Sequence, residues 1–171
     1  MLKVIVTGPE SSGKTTLCNT LAKYFNITFS LEFSRDFLNK LNVDYTQDDL
    51  SVIARGQLQS EQQTTNNKQL SLHDTDLITI KIWSEYKYKN CNNWILKQIE
   101  KQKKEKRLYL LCKPDIPWES DPLRENPNNR EEIFNIYKKE LKNLKHNYYV
   151  VKEERRLGSI IEKINKQITP N

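Results

Sequence analysis

The chain has 171 residues, of which 36% are hydrophobic and 29% charged, a balance typical of one soluble domain spanning residues 1–171. The net charge of +6 fits a polyanionic ligand such as ATP. We expect no nucleic-acid partner, because much of the basic excess falls in a predicted solvated helix end at 97–107. No apolar run is long enough for a membrane span, and three scattered cysteines give neither metal spacing nor a disulfide framework, so we expect a cytoplasmic protein with reduced thiols.

A phosphate-binding motif follows the first predicted strand. The stretch Gly8-Pro9-Glu10-Ser11-Ser12-Gly13-Lys14-Thr15 fits the pattern G-x-x-x-x-G-K-[ST] at every fixed position. A strand is predicted over 1–7 and a helix over 16–25, the order in which loop N–H groups and a helix N-terminus can hold phosphate. A chance match on an ordinary strand–turn–helix is the alternative.

The positions of this loop have separate chemical tasks. Lys14 is a point charge for the β- and γ-phosphates, and Thr15 offers a hydroxyl to Mg²⁺. The sequence therefore predicts ATP and Mg²⁺ as cofactors. The residues expected around the phosphates are Gly8, Glu10, Ser11, Ser12, Gly13, Lys14, Thr15 and Thr16.

Along the rest of the chain, short apolar runs typical of strands alternate with longer segments whose apolar residues recur at helical spacing. Further strands are predicted at 27–31, 69–74, 108–112 and 148–151, and further helices at 33–38, from a Thr46 cap to about Asn66, at 79–88, 94–104 and 130–145, and over the last isoleucines, Ile160 to Ile168. This alternation predicts an α/β fold: a parallel five-stranded sheet with helices on both faces. Ligands of such sheets bind at the carboxyl ends of the strands.

Charged residues follow two of these strands. Asp74 and Asp76 come after the third strand, where one carboxylate can serve Mg²⁺ and the other an acceptor hydroxyl; the alternative is that either one caps the next helix. Glu32 and Arg35 follow the second strand and suit contacts to an acceptor substrate. Their alternative is an i,i+3 surface ion pair worth a few tenths of a kcal/mol.

A lid-like loop is predicted at about 113–130. It holds four of the six prolines, together with Trp118, Arg124 and Arg130. Phosphoryl transfer needs cations brought over the transferring group once water is excluded, which suits these arginines, and Trp118 could stack on a flat, even cationic, ring. The alternative for the arginines is solubility of a surface loop.

Several segments, in the same order along nearly the whole chain, resemble the bacterial NadR-type ribosylnicotinamide kinases. The residues Glu10-Ser11-Ser12 at the variable positions of the phosphate loop are a more specific signature than the general P-loop pattern. The remaining similar segments are Glu32–Phe37, Ala54–Gln57, Asp74–Trp83, Asp115–Trp118 and Asp121–Arg124.

This resemblance implies an adenylate-kinase-like P-loop NTPase core and transfer of the γ-phosphoryl group of ATP to the 5′-hydroxyl of nicotinamide riboside, giving nicotinamide mononucleotide in NAD salvage. It implies that Asp74 and Asp76 serve the metal and the hydroxyl, in either order, and that Lys14, Arg124 and Arg130 are catalytic. Glu32, Arg35 and Trp118 would then surround the riboside.

Two departures from that family limit the expectation. We expect no adenylyltransferase or DNA-binding domain, since the chain starts at the kinase loop. The segment 151–156, Val-Lys-Glu-Glu-Arg-Arg, lacks the glycine that the family usually has near the adenine, which leaves the adenine contacts open. The alternative functions are a regulatory ATPase that senses nucleotides and a kinase of another nucleoside.

Overall fold

Four parallel strands form the sheet of this protein. The structure is a computed structural model that describes residues 1–41, 43–64, 69–152 and 157–168. The strands are β1 (Leu2–Thr7), β2 (Leu70–Asp74), β3 (Arg107–Cys112) and β4 (Asn147–Val151). Their order in the sheet is β2-β1-β3-β4, and every pairing is parallel, as the alternating sequence pattern predicts.

Seven helices accompany the sheet in the described residues. They are α1 (Lys14–Phe25), α2 (Phe33–Lys40), α3 (Gln47–Gln63), α4 (Leu77–Tyr88), α5 (Asn93–Gln102), α6 (Arg130–Asn143) and α7 (Gly158–Ile168). The Thr46 cap predicted for α3 is confirmed as a capping box, in which the Thr46 N–H donates to the Asp49 carboxylate at 2.7 Å. The predicted end of that helix near Asn66 lies outside the described residues. No described helix has the length and apolar character needed to span a bilayer.

The sheet has an apolar core on each of its faces. Successive β1 side chains alternate: Ile5 packs in one cluster with residues of α3, α4, α5 and α6, whereas Val4 and Val6 pack in the other with residues of α1 and α7. This period of two is what a strand covered on both sides requires. The prediction of helices on both faces is therefore confirmed.

The predicted fifth strand at 27–31 is wrong. Only Ser30 of this segment pairs with the sheet, through an isolated bridge to His73 of β2. Its N–H donates to the Leu72 carbonyl at 3.1 Å, and its own carbonyl accepts from the Asp74 N–H at 2.9 Å. Thr28 on one side of it and Leu31 on the other are exposed, so the segment meets the sheet edge at one residue instead of running along it.

Arg107 is buried, contrary to its expected place in a solvated helix end. Its guanidinium is completely enclosed, pairs with Glu61 of α3, and donates to Asp76 at 3.1 Å. Lys3 of β1 adds a second cation at 2.9 Å from Glu61. This network joins β1, α3, β3 and the turn after β2, and so fixes the carboxyl end of β2 relative to its neighbours.

Replacing Arg107 by methionine should destabilise the fold strongly. Two buried carboxylates, Glu61 and Asp76, would lose their enclosed cation, and breaking a buried ion pair by removing one partner costs about 3–5 kcal/mol. The free energy of unfolding, measured by urea denaturation, should fall by that amount. Lys103→Met is the matched control, because Lys103 makes only a partly exposed i,i+3 pair with Glu100 and should lose less than about 1 kcal/mol. Equal losses in the two variants would contradict this account of Arg107.

Candidate active site

The phosphate-loop motif forms the turn between β1 and α1. Gly8 has φ +139°, and a Cβ there would lie 2.6 Å from the Cys112 carbonyl oxygen of β3. Gly13, directly before α1, has φ 77°. Both conformations are open to glycine and costly for other residues. The backbone thus needs these two glycines at the positions where the motif has them.

Polar side chains of the loop fold back over it. The Lys14 ammonium and the Ser12 hydroxyl both donate to the Pro9 carbonyl, each at 2.8 Å. Thr15 and Thr16 lie in the exposed first turn of α1, at the helix end that favours negative charge. The loop therefore presents one ammonium group, hydroxyl groups and a helix N-terminus to the same space.

That space is a cavity of about 240 Å³. Residues of the phosphate loop form one wall, and residues of α2 form a second. A third wall comes from α4, α6 and the segment between β3 and α6. The lining residues are Gly8–Thr16, Glu32, Ser34, Arg35, Leu38, Thr79, Ile82, Trp83, Tyr86, Ile116, Glu119, Leu123, Arg124, Asn126, Ile133 and Tyr137.

Asp74 meets the phosphate loop at Thr15. The Thr15 hydroxyl donates to Asp74 Oδ2 at 2.7 Å, and Asp74 Oδ1 is buried with no hydrogen-bond partner among the described residues. Burial, reinforced by the negative charge of Glu32, raises the pKa of Asp74 to about 6. An orphaned carboxylate oxygen beside a hydroxyl is a donor set that Mg²⁺ accepts.

Mg²⁺ at a phosphate site needs few protein ligands. The described residues contain no cluster of three or more His, Cys, Asp or Glu side chains able to enclose a metal. Mg²⁺ is usually held by one or two protein oxygens together with substrate phosphates, whereas a structural metal needs a full protein cage. Thr15 and Asp74 are the residues that fit this ion.

The Asp76 carboxylate, predicted to serve catalysis and substrate binding, lies in the core and is not among the residues that line the cavity. The residue is fully buried. Its Oδ1 accepts from the Ile78 N–H at 3.0 Å, and its Oδ2 accepts from the Tyr109 hydroxyl at 2.7 Å and from Arg107. Asp76 is the N-cap of α4, which is the alternative that the sequence left open, and its oxygens are engaged away from the cavity.

Glu32 and Arg35 both line the second wall of the cavity. Arg35 pairs with Asp121, with 2.8 Å between its Nη1 and the carboxylate. The Arg35 side chain therefore pairs with Asp121 and not with Glu32, the i,i+3 partner that was the alternative. This arrangement links the α2 wall to the segment between β3 and α6.

That segment, residues 113–129, has no helix or strand and lies against the phosphate loop. Glu10 Oε2 accepts the N–H groups of Glu125 and Asn126 at 3.0 and 2.9 Å. The Ser11 hydroxyl accepts the Glu119 N–H at 3.0 Å. The Glu10 side chain, which was predicted to lie at the phosphates, thus binds residues 113–129. A carboxylate turned toward these N–H groups is spared the repulsion that it would meet beside a phosphate.

The two predicted arginines approach the loop from this side. Arg130, the first residue of α6, donates to the Ser11 carbonyl at 2.9 Å and to the Ile116 carbonyl at 3.1 Å. Arg124 lines the cavity. The Trp118 ring lies 6.0 Å from the Arg124 guanidinium and 5.6 Å from that of Arg130. Neither Trp118 nor Arg130 is among the residues that line the cavity. Trp118 packs with the two arginines, so this arrangement does not support a substrate contact.

An aromatic wall is the part of the cavity that sequence reasoning missed. Trp83 and Tyr86 of α4 line the cavity together with Thr79, and the Trp83 indole N–H donates to the Tyr45 hydroxyl at 2.7 Å. The sequence pattern alone had given Trp83 and Tyr86 no place in the site. Positions 79, 83 and 86 fall on one helix face, just after Asp74, so their spacing held a usable signal.

Comparisons with known proteins agree on one group of relatives. Residues 3–156 match the family AAA_28, described as an AAA domain. The protein named trifunctional NAD biosynthesis/regulator protein NadR is 29% identical over 128 residues in Salmonella typhimurium strain LT2 and 28% identical over 160 residues in Escherichia coli strain K12. These alignments cover 71% and 88% of the chain but only 30% and 38% of the two relatives.

Solved structures agree on the fold. A NadR protein crystallised in complex with NR superposes with a TM-score of 0.78 at 22% identity, over 99% of this chain and 52% of that one. A NadR protein in complex with NAD and AMP-PNP superposes with a TM-score of 0.72 at 21% identity, over 99% of this chain and 50% of that one. At these identities the likeness shows a shared fold, and the chain spans about half of each solved protein.

Lys14→Ala should weaken binding of an ATP analogue by at least tenfold, because the change removes the loop's ammonium group from the phosphate position. Isothermal titration with AMP-PNP and Mg²⁺ measures this. Lys23→Ala, an exposed lysine at the far end of the same helix, is the control and should bind within twofold of the unchanged protein. Equal binding by both variants would refute the assignment of the loop.

Proposed function

The chain belongs to the AAA_28 family of AAA domains, and from its candidate site we propose that it is an ATP-dependent kinase of nicotinamide riboside. The proposed reaction moves the γ-phosphoryl group of ATP to the 5′-hydroxyl of the riboside. The observation that carries this proposal is that one cavity joins the phosphate loop, with Asp74 held against Thr15, to a polar wall at Glu32 and Arg35. A nucleotide and a small alcohol can meet there.

Positioning and charge neutralisation supply most of the catalysis in this proposal, as in other phosphoryl transfers. Lys14 holds the β- and γ-phosphates, and Arg124 and Arg130 stabilise the charge on the transferring group. Mg²⁺, when held by Thr15 and Asp74, supplies further neutralisation of the phosphates. With a pKa of about 6, Asp74 is ionised at neutral pH, as a metal ligand must be.

The acceptor hydroxyl then has Glu32 and Arg35 as partners in place of Asp76. Both side chains line the cavity, and a carboxylate and a guanidinium together can accept from and donate to the hydroxyls of a ribose. Asp76 supports this site indirectly, by capping the helix that carries the aromatic wall.

Residues 113–130 act as the lid in this proposal. Their contacts reach the phosphate loop through Glu10 and the acceptor wall through Arg35 and Asp121. A segment bonded to both substrate sides excludes water when it closes and carries Arg124 and Arg130 over the phosphates. Acceptor transfer is then favoured over hydrolysis of ATP.

Trp83 is the residue that we propose packs against the pyridine ring of the riboside. It lies in the cavity wall, whereas Trp118 does not, and its ring is fixed by its hydrogen bond to Tyr45. A cationic ring over an indole face gains cation–π attraction. The relative solved in complex with NR, the usual abbreviation for nicotinamide riboside, supports an acceptor of this class.

A substrate panel tests the proposed function. We expect ADP release that depends on nicotinamide riboside and yields nicotinamide mononucleotide, identified by mass spectrometry. Adenosine, cytidine, uridine and thymidine serve as competing acceptors, and Lys14→Ala serves as the inactive control. Phosphorylation of another nucleoside, with nicotinamide riboside left unmodified, would show that the protein is a kinase with a different acceptor. ATP binding with no turnover on any acceptor would favour a nucleotide sensor instead.

Trp83→Leu should raise the KM for nicotinamide riboside about tenfold or more and leave the KM for ATP within twofold, since loss of a desolvated cation–π contact of about 2 kcal/mol is worth more than a factor of ten. Trp118→Leu is the matched control, and its KM for the riboside should change less. The reverse order of the two effects would return the stacking role to Trp118.

A further inference from the structure

Gln57 of α3 is a buried polar side chain that touches both sides of the candidate site without lining the cavity. Its Oε1 accepts the N–H of Phe33, the first residue of α2, at 2.8 Å. Its Nε2 lies 3.3 Å from the carbonyl oxygens of both Asp74 and Thr75. One amide group therefore bridges the start of α2 and the turn that follows β2.

We propose that Gln57 is a positioning residue that holds the acceptor wall and the metal-side turn at a fixed separation. The inference rests on the proposed kinase function, because it concerns the geometry of the two substrates in that reaction. Phe33 stands between Glu32 and Arg35 in the chain, so fixing its N–H fixes the backbone that carries both side chains. Asp74 is fixed at the other end of the same bridge.

Gly56, next to Gln57 in the chain, is in close contact with the Phe33 ring. A Cβ at Gly56 would lie 2.3 Å from the nearest ring carbon of Phe33, far inside van der Waals contact. A side chain at position 56 would need the space that the Phe33 ring occupies, so glycine there lets the ring pack directly on α3, next to the Gln57 side chain that reaches the Phe33 N–H. Gly56 and Gln57 thus act together to hold Phe33, one through its ring and the other through its N–H.

The turn at the other end needs support of this kind. Thr75 has φ +65°, a left-handed conformation that a β-branched residue avoids and that costs about 1–3 kcal/mol. This conformation separates the two carboxylates, with Asp74 at Thr15 and Asp76 in the core. Donation by Gln57 to the carbonyls of Asp74 and Thr75 stabilises the strained turn in the form that presents Asp74.

Gln57→Met tests the proposal, because methionine keeps the length and volume of the side chain and removes its hydrogen bonds. We expect kcat to fall tenfold to a hundredfold and the KM for the acceptor to rise, since a misplacement of about 1 Å can cost about a hundredfold in rate. AMP-PNP affinity should stay within twofold, because the phosphate loop is untouched. Gln59→Met, on the exposed face of the same helix, is the control and should change neither constant.

Gln57→Glu separates the two ends of the bridge. Its carboxylate can still accept the Phe33 N–H but cannot donate to the carbonyls of Asp74 and Thr75. We expect kcat to fall as in Gln57→Met with a smaller change in acceptor KM. A Gln57→Met protein with a lower Tm but with kcat and acceptor KM within twofold of the unchanged protein would overturn the proposal, since Gln57 would then serve stability alone.

A measurement without turnover keeps this inference distinct from the kinase proposal. Native-state hydrogen exchange should be faster in Gln57→Met at both the Phe33 and the Thr75 amides, with the β1 amides unchanged. Acceleration at only one amide, or at neither, would show that Gln57 does not couple the two segments. Failure of every acceptor in the substrate panel would refute the kinase function and leave this result standing.

Discussion

The hydrogen bond from the Thr15 hydroxyl to Asp74 is the contact on which the site depends. It joins the first turn of α1 to the carboxyl end of β2, and it exists because β1 and β2 pair in parallel with Val6 opposite Asp74. The strand before the phosphate loop and the strand before Asp74 therefore end side by side. The close approach of Gly8 to Cys112 holds the loop against β3 in the same way, so two strand neighbours fix where phosphates can lie.

The segment over the cavity is tied to three elements that have separate roles in the proposed kinase. Glu10 binds it to the phosphate loop, Arg35 binds it to the acceptor wall through Asp121, and Lys87 of α4 pairs with its Glu125 at 3.0 Å. Each ion pair is partly exposed and individually weak. Together they make closure depend on the arrangement of both substrate walls, which suits a segment that must open for exchange of ligands.

Local patterns were the part of this molecule that the sequence predicts well. The phosphate loop depends on glycines and hydroxyls within eight positions, and the α3 cap depends on Thr46 and Asp49 three positions apart. Their geometry follows from neighbours in the chain. The parallel sheet with helices on both faces follows in the same way from the alternation of apolar runs with helical spacing.

Side-chain orientation and long-range partners are what the sequence could not predict. Asp74 and Asp76 cannot be told apart from the sequence, because both follow the same strand. The positive φ of Thr75 separates their side chains, and this conformation is not predictable where the residue is not a glycine. Arg107 belongs to a basic run, and only its distant partners Glu61 and Asp76 make its burial possible. The sequence favours Trp118 as the ring partner, because it lies in the lid-like loop, and only the three-dimensional packing places Trp83 in the cavity wall and leaves Trp118 outside it.

A crystal structure with AMP-PNP, Mg²⁺ and nicotinamide riboside would show whether the two substrates meet in this cavity. We expect a metal ion bound by Thr15 and Asp74, the riboside hydroxyls at Glu32 and Arg35, and the 5′-hydroxyl of the riboside in line with the γ-phosphate. The pyridine ring should lie against Trp83. A metal or a riboside hydroxyl bound by Asp76, or a riboside bound outside this cavity, would contradict this arrangement.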